Sequence, residues 1–147
     1  MAALLLLISG CAALRGTDQG VAAADRILGP HTGGLVVSII VPSVDRDGTP
    51  IAEDRTRAAV LRTEAELARI YGGYTTHTGT HGGWLDEKGA VEAEGHAAIV
   101  TAYGGGKDAG QALAAVRILA AALARELKQH CIAAIVNDRM YLIPPVE

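Results

Sequence analysis

Apolar residues along this chain gather into short continuous runs and into helical stripes, with glycine and turn residues between them. Leu35–Val41 reads Leu-Val-Val-Ser-Ile-Ile-Val, β-branched and almost unbroken in apolarity, which predicts a buried central strand ended by Pro42. Turn formers follow in Asp45-Arg46-Asp47-Gly48 and Pro50. From Asp54 to Tyr71, the residues Val60, Leu67, Ile70 and Tyr71 recur at helical spacing among Arg and Glu, and Gly72-Gly73 supplies the stop. Tyr74–Thr80 alternates Thr with other residues and suits a strand. Trp84-Leu85 and Ala90-Val91 flank Asp86-Glu87-Lys88-Gly89, which predicts an extra β-hairpin. His96–Tyr103 is a further apolar strand, and Gly104-Gly105-Gly106 leads into a second helix over Asp108–His130 with Leu113, Val116, Ala120, Leu123 and Leu127 as its stripe. Cys131–Val136 predicts the next strand, turned by Asn137-Asp138-Arg139 into Met140–Ile143.

The order strand, helix, strand, strand, helix, strand predicts an α+β domain of the ferredoxin-like βαββαβ kind, an antiparallel sheet with both helices on one face. Alternation is weak in Leu35–Val41 and in Ala97–Val100, so both faces of the central strands are expected to be apolar. The face without helices is then expected to pack against another subunit, making a homo-oligomer. With 147 residues the chain suffices for one domain, and with no Phe and 3% aromatic residues its core must be built from Ala, Val, Leu and Ile.

The first residues form a separate pattern. Ala3-Leu4-Leu5-Leu6-Leu7-Ile8 precedes Ser9-Gly10-Cys11: a short apolar stretch ending in small residues, too short to span a bilayer and with no Lys or Arg before it. It reads either as a removable signal or as an apolar extension without a targeting role. Ile8-Ser9-Gly10-Cys11 resembles the lipobox of bacterial lipoproteins. The resemblance implies a signal peptide over 1–10 and acylation of Cys11; the stretch that follows, rich in Ala, Gly and Asp and without strong periodicity, reads as a tether over 11–33 with a helical turn around Val21–Leu28, ahead of the folded domain over 34–147. The resemblance also implies a place at the bacterial envelope, touching the membrane only through the lipid. The net charge of -3, with no basic patch, argues against nucleic acid as a partner.

Several residues could carry chemistry, each with a plainer alternative. His77 and His81, four apart on a predicted strand, could join His96 and Glu92 or Glu94 around zinc, or be ordinary solvated histidines. Glu92 and Glu94 alternate so as to share a face, where paired carboxylates make a proton donor or a solvated surface. Gly104-Gly105-Gly106-Lys107 at a helix start could receive an anion or be a flexible connection; Asp108 stands where a P-loop needs Ser or Thr. Asp45-Arg46-Asp47-Gly48 begins like a calcium loop, but Thr56 holds the position of the closing Glu. Trp84 is the single Trp, suited to stacking on a ligand or to filling the core. Cys131, in an apolar run, reads as a buried small hydrophobe.

Two resemblances bear on function. The run Val37-Ser38-Ile39-Ile40-Val41-Pro42-Ser43-Val44-Asp45-Arg46-Asp47-Gly48, with Gly72-Gly73-x-Thr75, Gly83-Trp84 and Glu94, resembles a family of uncharacterised bacterial lipoproteins with a ferredoxin-like domain, over about Val37 to Ile143. That likeness implies a small ligand-binding or assembly module. Tyr71-Gly72, Gly83-Trp84, Glu94, Gln111-Ala112-Leu113 with Arg117, and Gln129-x-Cys131 are similar to the S-adenosylmethionine lyases of bacteriophages. This second likeness implies a cytoplasmic trimer with a ferredoxin-like core that binds S-adenosylmethionine between subunits and releases methylthioadenosine and homoserine lactone, with no cofactor. A Tyr and a Glu matter in that family; Glu94 matches the acid as the catalytic residue, and Trp84 stands where the Tyr is found. The ligand-facing surface is expected around Tyr71, Thr76, Trp84 and Glu94, at the sheet edge near the hairpin.

Overall fold

The structure is a computed structural model and describes residues 16–28, 34–85, 89–104 and 108–146. The predicted signal segment, Cys11, the hairpin turn at 86–88 and the glycine-lysine stretch at 105–107 lie outside the described residues. The chain divides into two units, Met1–Thr32 and Gly33–Glu147. In the first, helix α1 runs over Gly16–Leu28, 13 residues where a single helical turn was expected. Its Ala22-Ala23-Ala24 centre has the side chains that lose least freedom in a helix.

The second unit follows the predicted order. Strand β1 is Leu35–Val41, helix α2 Glu53–Tyr71, β2 Thr75–Leu85, β3 Val91–Gly104, α3 Ala109–Glu126, β4 Ile132–Val136 and β5 Arg139–Ile143. The strands form one antiparallel sheet in the order β2-β3-β1-β4-β5. Without β5 this is the ferredoxin-like arrangement, and β5 extends it at the β4 edge. The expected extra hairpin around 86–89 is instead the far end of one long β2–β3 ladder, which pairs from Thr75↔Thr101 to Leu85↔Val91. Around Gly79 and Gly82 the ladder takes up two register shifts, between His77 and Thr80 and between Thr80 and Gly82.

One face of the sheet is sealed by both helices. Val37, Ile39 and Val41 of β1, opposite Ala102, Val100 and Ala98 of β3, pack with Ile132 of β4 under Ala59 and Leu67 of α2 and Val116, Ala120, Leu123 and Leu127 of α3 and its cap. The many alanines let helix and sheet approach closely, which is how a core without Phe fills its volume. Val60, Ile70 and Tyr71 of the predicted α2 stripe sit at the margin of this core, and its centre includes Thr63, whose hydroxyl donates to the carbonyl of Ala59 at 2.8 Å. α3 stops at Glu126 rather than at His130. Lys128 turns left-handed at φ 53°, and Gln129 leaves the helix to donate from Nε2 to the carbonyl of Val44 at 2.6 Å.

The other face is less apolar than expected. Val36, Ile40, Ile99 and Ile135 lie there, but its middle holds Ser38 and Thr101, whose hydroxyls meet at 2.8 Å. No helix among the described residues is long and apolar enough to cross a membrane.

Candidate functional site

The expected ligand surface is spread along β3. At one end of that strand, Tyr71 closes α2 and lies against Gly104, where an added Cβ would meet the Tyr71 carbonyl at 3.0 Å. Among the described residues the buried Tyr71 hydroxyl has no hydrogen-bond partner, and its burial pushes its pKa up. Near the other end of β3, Trp84 pairs with Glu92, and Gly82 with Glu94. The side chains of Trp84, Glu92, Glu94 and His96 lie outside the described residues. Gly104 lies ten residue steps along the strand from Glu94, about 33 Å at the usual rise. Within one chain, therefore, Tyr71 is remote from the Trp84–Glu94 segment.

Thr76 stands between them and is already engaged. It pairs with Val100, on the helix-covered face, and donates to Oε1 of Glu64 at 2.6 Å. The charge of the same carboxylate is the chief cause that pushes the Tyr74 pKa up, with desolvation adding to the effect. Glu64 thus ties α2 to the start of β2. Nothing in the sequence distinguishes it from the other glutamates of a helix that has a solvated face, because the contact is made only when α2 lies on the sheet.

The histidine pair does not keep its predicted geometry. The register shift after His77 inserts an extra residue, so Thr80 shares the face of His77 and His81, next along, falls on the opposite one. Among the described residues no group of three or more metal-ligating side chains comes together. At the start of α3, the Asp108 carboxylate accepts from the Gln111 N–H at 3.0 Å and occupies the cap with a negative charge of its own. Asp45 likewise serves its own turn, accepting from the N–H groups of Asp47 and Thr49 at 3.0 and 2.9 Å. Cys131 is a free thiol, half-buried rather than buried, because it lies just before β4 begins.

No protein-family model matches this chain, and no curated protein matches its sequence. Among solved structures, the fold is similar to that of a phage S-adenosylmethionine lyase in complex with S-methyl-5'-thioadenosine, at TM-score 0.55 and 17% identity over 78% of this chain and 93% of that one. It is similar also to a phage S-adenosylmethionine lyase in its apo state, at TM-score 0.55 and 20% identity over 80% of this chain and 94% of that one. At these identities the likeness is one of fold: a ferredoxin-like α+β domain shared over nearly the whole length of the phage enzymes.

Proposed function

We propose that this chain cleaves S-adenosylmethionine to methylthioadenosine and homoserine lactone. The observation that carries the proposal is a coincidence of two kinds of likeness. The chain shares a fold with phage enzymes of this activity over most of its length, and its Gly83-Trp84 and Glu94 stand in the pattern those enzymes resemble.

The reaction asks little of the protein in acid–base terms. An oxygen of the substrate's own carboxylate attacks the γ carbon beside sulfur. The carbon–sulfur bond breaks, its electron pair stays on sulfur, and the lactone closes without any proton changing place. A sulfonium and a carboxylate cancel as the transition state forms, so a site poor in water favours the step. Glu94 would hold the substrate ammonium and so orient the chain for attack, a charge-assisted contact. The Trp84 indole supplies a flat face for the adenine ring or the sulfonium. Because Tyr71 and Glu94 lie far apart along β3, a site using both draws them from different copies, in keeping with the trimer that the phage likeness implies.

Incubating the purified chain with S-adenosylmethionine should yield methylthioadenosine by chromatography, and Glu94→Gln should abolish turnover while leaving the thermal midpoint nearly unchanged. Absence of product from the wild-type oligomer, with no change in tryptophan fluorescence on adding the substrate, would overturn the lyase. The second reading is then a lipid-anchored ligand-binding or assembly module at the bacterial envelope, favoured by Ile8-Ser9-Gly10-Cys11. It requires lipid labelling that Cys11→Ser removes; an unlabelled wild type that keeps Met1 would refute it.

A further inference from the structure

β5 is an outer strand of the sheet, and among the described residues no strand pairs with its outer edge. It pairs residue for residue with β4, from Val136↔Arg139 to Ile132↔Ile143, without a bulge. Its sequence Arg-Met-Tyr-Leu-Ile carries a single charge, at Arg139, with Pro144-Pro145 following it, and Met140, Tyr141 and Leu142 are 60%, 48% and 64% exposed. Edge strands in folded proteins are ordinarily guarded by bulges, prolines, lysines or a covering element, because bare N–H and C=O groups invite another strand.

Alongside this edge, α3 and the β4–β5 pair leave an apolar groove of about 390 Å³, walled by Leu113, Val116, Val136, Tyr141 and Ile143, with Arg117 among its lining residues. Arg139, opposite Val136, lies on the same side of the sheet. Among the described residues, neither arginine has a carboxylate partner; the ion pairs there use Arg46, Arg57, Arg62 and Arg69. A bare strand edge, an apolar trough and unpaired cations therefore meet in one place.

We propose that the β5 edge takes up an extended peptide segment of a partner protein, apolar at alternate positions and carrying a carboxylate. The segment adds as a sixth strand. Main-chain hydrogen bonds to β5 give affinity, alternate side chains enter the groove, and the carboxylate meets Arg117. A second copy of this chain is the poorer occupant, since its β5 brings a cation and no carboxylate. The surface lies at the opposite edge of the sheet from the strands that carry Trp84 and Glu94; it shares Leu113 and Arg117 with the lyase-like pattern, and the titration below reads peptide binding at β5 apart from any turnover.

The probe is a synthetic peptide, acetyl-Thr-Val-Thr-Val-Thr-Val-Glu with a free C-terminus, titrated into the isotope-labelled full chain. The amides of Met140–Ile143 should shift and gain protection from exchange. Affinity should fall about tenfold or more in Arg117→Glu, and also against wild type when the peptide ends in Gln amide, an arm that needs no variant to fold. Three outcomes would overturn the proposal: no shift in β5 at millimolar peptide, equal binding of the acidic and neutral peptides, or β5 shifts that depend on protein concentration without peptide, which would assign the edge to a second copy.

Discussion

Asp45 shows how a residue's type can be legible while its work is not. In the sequence, Asp45-Arg46-Asp47-Gly48 resembles the opening of a calcium loop, and only Thr56 at the closing position argues otherwise. In the fold the carboxylate is spent on its own turn, and the turn is pinned to the end of α3 by the Arg46 N–H donating to the Lys128 carbonyl at 3.2 Å. The Thr49 N–H leads in holding the Asp45 pKa below its ordinary value, aided by the Asp47 N–H and the charge of Lys128 and opposed by desolvation. A carboxyl whose pKa is depressed by folding contributes stability in full above its unfolded value, near 4, and loses it as pH falls through the lower folded value. Asp45→Asn keeps an acceptor for the turn and removes that titration. The thermal midpoint of the variant should therefore fall less steeply than that of wild type below about pH 4; parallel acid profiles would show that the turn contributes nothing to the pH dependence.

At the scale of elements, α2 and β1 were legible because local signals agree there. A β-branched run ends at Pro42, and a helical stripe ends at Gly72, whose left-handed φ of 87° closes the helix with its N–H on the Ala68 carbonyl at 2.7 Å. β2 and β3 were legible only in pieces, because each glycine in Gly79, Gly82 and Gly83 is locally a break and becomes part of a strand only when its partner is present. The junction of α2 with the end of β3 rests on another glycine. Gly104→Ala puts a Cβ 3.0 Å from the Tyr71 carbonyl and 3.3 Å from its Cβ. Loss of unfolded-chain entropy would stabilise the variant by about 0.4–1 kcal/mol, whereas crowding backbone in a packed junction costs about 1–3 kcal/mol. The crowding should win: the urea midpoint should fall, with the denaturant slope unchanged. An equal or higher midpoint would mean that the last turn of α2 gives way freely.

For the whole molecule, the exposed face of the sheet sets the expectation of assembly. Val36, Ile40, Ile99 and Ile135 surround the Ser38–Thr101 hydroxyl pair, and a lyase site that used Tyr71 together with Glu94 would draw on both ends of β3. The domain from about residue 34 onward should therefore sediment and scatter light as a trimer; a monomer at high concentration would contradict it and leave Tyr71 outside any site that contains Glu94. By itself the sequence determined the order of strands and helices, and with it the ferredoxin-like topology, because burial patterns and turn residues are local and a right-handed crossover leaves few ways to connect them. It also marked Trp84 and Glu94 as candidates. Tertiary structure alone decided where α3 stops, which strand extends the sheet, the loss of the shared face of His77 and His81, and the capture of Thr76 by Glu64. Each of these depends on a contact between residues distant in the chain, and no local pattern of polar and apolar positions records which distant group will arrive.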